Sequence, residues 1–345
     1  MKIDNNWKFT YLQVINFLII SLVGILYIPF ITLMPNDWFR DRDNYLIYAN
    51  MASIIKDKYE GISLYFNEPI FLLINDKLSL YFDVEIIPHI FSFFLVFSFF
   101  IGLAYYSKNI LMFFLGLILS ILIPYMLQSE LVVLRQGMAT GIFIISFLLV
   151  KNDKIIAAVL FFLAFIHSIF FIFFIFFILN FIFFSKIDFK VKLSLNFILM
   201  ATVSIFSILL AQFFGLRQGD EYQQNMEVSR GGGAFLLFFV LAIYLYLFGE
   251  KKNKKLYEFS LIGLVMFLTA YFLTPISGRL FNTIIPFVLF LLISRARLQD
   301  YLMVSIVLIV FLFLFLNGSY NDLLVIHELE AKEEFLEYCR DFFSL

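Results

Sequence analysis

Apolar residues in this chain come in long runs rather than in alternation. Such runs occupy 11–33, 86–106, 109–127, 135–150, 193–214, 234–248, 256–273, 279–294 and 301–318. None shows the period-two pattern of a barrel strand. Inside hydrocarbon a helix satisfies its own backbone, and about 20 residues suffice to cross. Each run therefore predicts a transmembrane helix. The stretch 155–184 is longer than one untilted crossing needs and is interrupted by His167-Ser168. It predicts a hairpin of two short helices turning near His167. The expected fold is all-α, a polytopic integral membrane protein of about 10–12 transmembrane helices. The first run ends in Ile31-Thr32-Leu33-Met34-Pro35 with no small-x-small cleavage pattern, so it reads as a signal anchor.

Composition agrees. The 345 residues are 62% apolar and 15% charged, against about 45–50% and about 25% in soluble domains. Soluble α/β and all-β folds are set aside. The 50 phenylalanines suit lipid-facing helices. A net charge of -1 gives no reason to expect nucleic acid as a partner. A single cysteine, Cys339, excludes an intrachain disulfide framework and a Cys-based zinc site.

The charges become informative when sorted by side. Lysines near the span ends place the N-terminus inside, and 249–255, GEKKNKK, votes most strongly. Twelve of the sixteen lysines then fall inside, yet seven of the nine arginines fall outside: Arg40, Arg42, Arg135, Arg217, Arg230, Arg279 and Arg340. Positive-inside sorting treats both cations alike. Outer guanidinium groups therefore invite a function, and they suit planar, bidentate recognition of phosphate or carboxylate. The alternative is simple pairing with outer acids.

One transmembrane domain, 1–345, carries four polar outer segments. The first outer loop, 34–85, predicts interfacial helices, one bearing Tyr45, Tyr48 and Ile55 and another over 69–82. The segment 128–136 opens the span at 135, and 215–233 is long enough for a lid with a glycine hinge or for a plain linker. The tail 319–345 predicts an amphipathic helix on the outer side.

Candidate chemistry lies in these segments. Asp41 and Asp43 form an Asp-x-Asp that would hold a divalent ion, supply a base, or merely pair with Arg40 and Arg42 in solvent. Glu68 precedes Pro69 and reads as a complement to a helix N-terminus or as a buried acid facing a cavity. Arg135, beside Gln136, opposes the macrodipole of its helix and needs an anion, either Glu130 or a ligand. His167 reads as a proton shuttle, a donor to phosphate, or a structural group. Arg279 is placed like Arg135, so the two would clamp one diphosphate. No Asp or Glu lies centrally in a span, and no nucleotide-binding loop is present.

Asp43 followed by Tyr45 and Tyr48, Asn-Glu-Pro-Ile-Phe at 67–71, Leu-Arg-Gln-Gly-Met-Ala at 134–139 and the later His167 occur in an order that resembles the EpsG-type polysaccharide polymerases, close to the Wzy O-antigen polymerases. The resemblance covers roughly residues 40–290. It implies a bacterial inner-membrane glycosyltransferase of GT-C-like architecture. Such an enzyme joins oligosaccharide repeat units carried on undecaprenyl diphosphate, on the outer face, with a chain-length regulator as partner. In that expectation Asp43, Glu68 or His167 is the catalytic base. Arg135, Gln136, Arg279, Arg217, Arg230, Asp41 and Tyr45 bind substrate. No cofactor or metal is needed, although Asp41 and Asp43 leave a metal open. The rival readings are a lipid-linked oligosaccharide flippase and another membrane transferase, such as an O-antigen ligase.

Overall fold

A computed structural model describes residues 11–58, 65, 67–213, 232–318, 320–325 and 328–344. Within these residues the chain is helical, and the sole extended pairing is an isolated antiparallel bridge between Phe39 and Leu324.

Helices stand where the apolar runs place them. They are α1 (Tyr11–Thr32), α2 (Arg42–Lys56), α3 (Pro69–Leu78), α4 (Ile87–Tyr106), α5 (Ile110–Leu122), α6 (Pro124–Leu131) and α7 (Leu134–Leu149). There follow α8 (Asp153–Leu163), α9 (Phe170–Phe177), α10 (Phe189–Phe213), α11 (Gly233–Phe248), α12 (Lys254–Ala270), α13 (Ile276–Ile293), α14 (Leu298–Leu316) and α15 (Glu328–Ser344). The hairpin expected over 155–184 is formed by α8 and α9, with a π-helical turn at Ile178–Phe183 and His167 in the connecting turn.

Length and composition alone single out some of these helices as spans. Among the described residues, five helices are long and apolar enough to span, or six if α5 and α6 count as one span bent by 74°. The bend falls at Ile123-Pro124, where proline at the first turn of α6 cannot continue the ladder of α5. The arms of the hairpin are short: α8 has 11 residues.

The core is built on α4, α7, α12 and α13. Their facing side chains, including Phe91, Phe99, Phe143, Phe267 and Phe287, are fully buried. Gly141 lets α7 approach the backbone of α4, because a Cβ there would press on the Phe94 carbonyl. The long helices α1 and α14 keep most of their apolar surface outward, as lipid-facing spans do.

Polar segments gather at two opposite ends. At one end Lys255 pairs with Asp153 at 2.8 Å, the Lys108 N–H donates to Ile293 O at 3.1 Å, and Arg297 Nη2 donates to Phe248 O at 2.9 Å. Buried Lys192 pairs with Glu258 at 2.8 Å at this lysine-rich end. At the other end α2, α3, the α6–α7 junction, the hairpin turn and α15 meet. There the Tyr338 hydroxyl donates to Phe30 O at 2.7 Å, fixing the amphipathic tail helix against α1. The two aromatic groups expected at headgroup level on α2 are instead turned into the protein, since Tyr45 and Tyr48 are buried.

Candidate functional site

The site starts with two backbone outliers. Among the described residues, Asp41 and Glu68 are the non-glycine positions with positive φ, at 66° and 62°. A left-handed conformation costs an L-residue about 1–2 kcal/mol. Asp41 turns the chain so that Arg42 becomes the first residue of α2 and points inward. Glu68 does the same ahead of Pro69, which opens α3. The Ile70 N–H donates to Phe165 O at 3.0 Å, so the start of α3 is tied to the hairpin turn that holds His167.

Glu68 thereby meets Arg135. Arg135 Nη1 donates to Glu68 Oε2, and both side chains are largely buried. The guanidinium lies among three rings, with its Cζ 5.2 Å from the centroid of Tyr48, 5.6 Å from Phe71 and 6.0 Å from Tyr45. Cation–π attraction and a carboxylate in a place poor in water hold the charge in one orientation. The side chain that faces Arg135 is therefore not Glu130, as sequence adjacency suggests, but an acid 67 positions away. Glu130 is fully buried, with no hydrogen-bond partner for either carboxyl oxygen. The side chain of Glu68 makes no capping bond to α3, so the capping reading of that residue is replaced by ion pairing.

His167 is the third member. Its Nε2 faces Glu68 Oε1 at 3.9 Å, and the Ile169 N–H donates to its Nδ1 at 3.4 Å. Accepting at Nδ1 leaves the ring proton of the neutral tautomer on Nε2, directed at the carboxylate. Burial, then the positive charges of Arg135 and Arg279, push the imidazole well below its ordinary pKa. Neutral His167 thus faces Glu68 without competing with it for a proton.

Gln136 joins the second arginine to the cluster. Its Nε2 donates to the backbone carbonyl of Arg279 and, at 2.9 Å, to Thr283 Oγ1. This bond sets the start of α13 beside that of α7, and the guanidinium of Arg279 is half-buried. Glu68, Arg135, Gln136, His167, Arg279 and Tyr45 are therefore brought together as the sequence motifs suggest.

Asp41 and Asp43 are not part of this group. Both are exposed, while Arg42 between them is fully buried and donates from Nε to Leu131 O at 2.7 Å. Pairing of Arg42 with its flanking acids is thus replaced by a bond to the helix end. Among the described residues no three His, Cys, Asp or Glu side chains gather as a metal-holding group. Arg217, Arg230 and the segment 215–231 lie outside the described residues. Sequence reasoning overlooked Phe71 as a wall for Arg135, although it sits in the motif 67–71.

The cluster also sits at one end of a short helix. Arg135 is the second residue of the 16-residue α7, whose other end lies with the lysines. Sixteen residues extend about 24 Å, less than the core of about 30 Å. The 20-residue α4 packed beside it is longer.

No curated protein and no solved structure matches the chain. The family model described as the EpsG family matches residues 8–338, nearly its whole length. On a match of that extent the chain belongs to the EpsG family.

Proposed function

We propose that the protein polymerises oligosaccharide repeat units carried on undecaprenyl diphosphate. In this reading glycosyl transfer occurs at the periplasmic face of a bacterial inner membrane, with the N-terminus cytoplasmic. Family membership supports a membrane polysaccharide-biosynthesis polymerase at the level of the family. The observation that carries the finer reading is the largely buried Glu68–Arg135–His167 cluster with Arg279 beside it. A lipid diphosphate brings its activated leaving group with it, and its charge suits two guanidinium groups held at one end of the helices.

In this mechanism the diphosphate of the donor engages Arg279 and draws Arg135 away from Glu68. Two guanidinium groups then face the leaving group as its charge grows, which lowers the barrier. Glu68, released from Arg135 and oriented by the Nε2–H of His167, accepts the proton of the attacking sugar hydroxyl. The new glycosidic bond forms at the anomeric carbon as its bond to the diphosphate oxygen breaks. Undecaprenyl diphosphate leaves, and the polymer passes to the newly arrived lipid-linked unit. Gln136 fixes the spacing of the two arginine-bearing helices, and Tyr45 and Tyr48 keep Arg135 aimed. A chain-length regulator in the same membrane is the expected partner.

Deletion of the gene distinguishes this from flipping or ligation. Loss of a polymerase leaves surface lipopolysaccharide capped with one repeat unit. A full ladder in the deletion strain, or loss of even the single unit, contradicts the proposal.

A further inference from the structure

The junction between α6 and α7 lacks several bonds that a continuous helix would make, among them the one from the Arg135 N–H to the Leu131 carbonyl four residues earlier. Both halves of that missing bond are satisfied by α2. The carbonyl of Leu131 accepts from Arg42 Nε at 2.7 Å, and the Arg135 N–H donates to the Tyr45 hydroxyl at 3.4 Å. Arg42 and Tyr45 are three residues apart and so lie on one helix face. Tyr48, one turn further, stacks on the guanidinium of Arg135. Arg42 is itself anchored, because its Nη1 donates to Asn36 Oδ1 at 2.9 Å while Asn36 Nδ2 donates to Glu85 O at 2.9 Å.

We infer that Arg42 is a positioning residue, which splints the α6–α7 break through Leu131 and thereby aims Arg135 at Glu68. The fully buried guanidinium substitutes for a backbone donor at a helix end, where the terminal carbonyls have no partner of their own. Without it the break has two ways to relax. The Leu131 carbonyl recaptures the Arg135 N–H and straightens the helix, or it stays unsatisfied. Either way the start of α7 turns and the Arg135 side chain leaves its ring cage.

The inference concerns the same cluster as the proposed function, but a test of it need not assume the reaction. The coupling between Glu68 and Arg135 is measured in the full-length protein in detergent from the Tm of wild type, Glu68→Gln, Arg135→Gln and the double variant. The same cycle is then repeated with Arg42→Gln and with Arg42→Lys. The expected result is that the non-additivity present in wild type vanishes with Arg42→Gln and is partly kept by Arg42→Lys, which retains a donor. An unchanged coupling overturns the inference. If Arg42→Gln does not fold, Tyr45→Phe removes only the other half of the splint and must weaken the coupling in the same cycle; no change there also overturns it. Polymer formation from purified lipid-linked repeat unit is a separate arm. Arg42→Gln is expected to lower the rate per folded protein about tenfold or more, as loss of a bond from a buried charged donor does. Normal polymer from Arg135→Ala would overturn the functional reading while leaving the coupling result to decide the splint.

Discussion

Arg135 and Glu68 are each other's counterion, joined across 67 positions between the start of α7 and the residue before α3. The pair is only slightly exposed, with side-chain accessibilities of 17% and 7%. Removing one partner strands a charge in a place with little water. Glu68→Ala is expected to destabilise the protein by about 3 kcal/mol or more. Glu68→Ala with Arg135→Ala together should cost less than the sum of the two. Denaturation of the four proteins in one detergent checks this, and additive losses would mean that the pair is not coupled.

His167 gives a pH dependence of defined sign. Its folded-state pKa is lowered, mainly by burial. Below the ordinary imidazole value of about 6.5 the unfolded chain takes up a proton that the folded chain does not. Stability is therefore fully present above that pH and is lost progressively as pH falls below it, until the lower folded-state pKa is passed. His167→Gln should flatten this part of the stability profile. A wild-type profile that rises as pH falls from 7 to 5 would contradict a buried neutral imidazole.

The positions of the helices, the hairpin at His167 and the gathering of Glu68, Arg135, Gln136, His167 and Arg279 were all legible in the pattern of runs and motifs. The counterion was not. Glu130 is close to Arg135 along the chain, whereas Glu68 arrives only because the start of α3 is bonded to the turn after α8. The inward face of α2 was misread for a local reason. Left-handed Asp41 makes Arg42 the first helical residue, so 42, 45, 49 and 52 share the buried face and Asp43 does not. Counting back three residues from Tyr45 would have found Arg42. Length alone does not mark every run as a crossing, because an apolar run shows burial or lipid contact but not how far its helix extends. The arms of the His167 hairpin are as apolar as the longer spans.

Gly141 and Gly278 separate close backbone approach from mere smallness. A Cβ at Gly141 would meet the carbonyl of Phe94 and the backbone of Leu95, neither of which can swing aside. Gly141→Ala should force α4 and α7 apart at a cost of about 1–3 kcal/mol and lower activity, since α7 carries Arg135. A Cβ at Gly278 would meet only Tyr125, at an ordinary 3.9 Å. Gly278→Ala should be close to neutral in Tm. Equal effects of the two would refute the packing argument.

Lys192 and Glu258 test whether the lysine-rich end is structural. Their buried 2.8 Å pair lies at the end opposite the cluster, and exposed Lys254 is 3.6 Å from the same carboxylate. Lys192→Met should lower stability by about 3 kcal/mol but leave the rate per folded protein unchanged. A selective loss of rate in stable protein would place part of the chemistry at this end.

The central claim is that the Glu68–Arg135 cluster handles a lipid diphosphate. The most direct measurement uses purified full-length protein in vesicles with undecaprenyl-diphosphate-linked repeat unit as the only substrate, and follows polymer length. Wild type should give a ladder. Arg135→Ala and Arg279→Ala, at equal folded amounts, should give none, and Arg135→Lys should fall well below wild type because a point charge does not replace the fork of a guanidinium. Full-length polymer from both alanine variants would contradict the account.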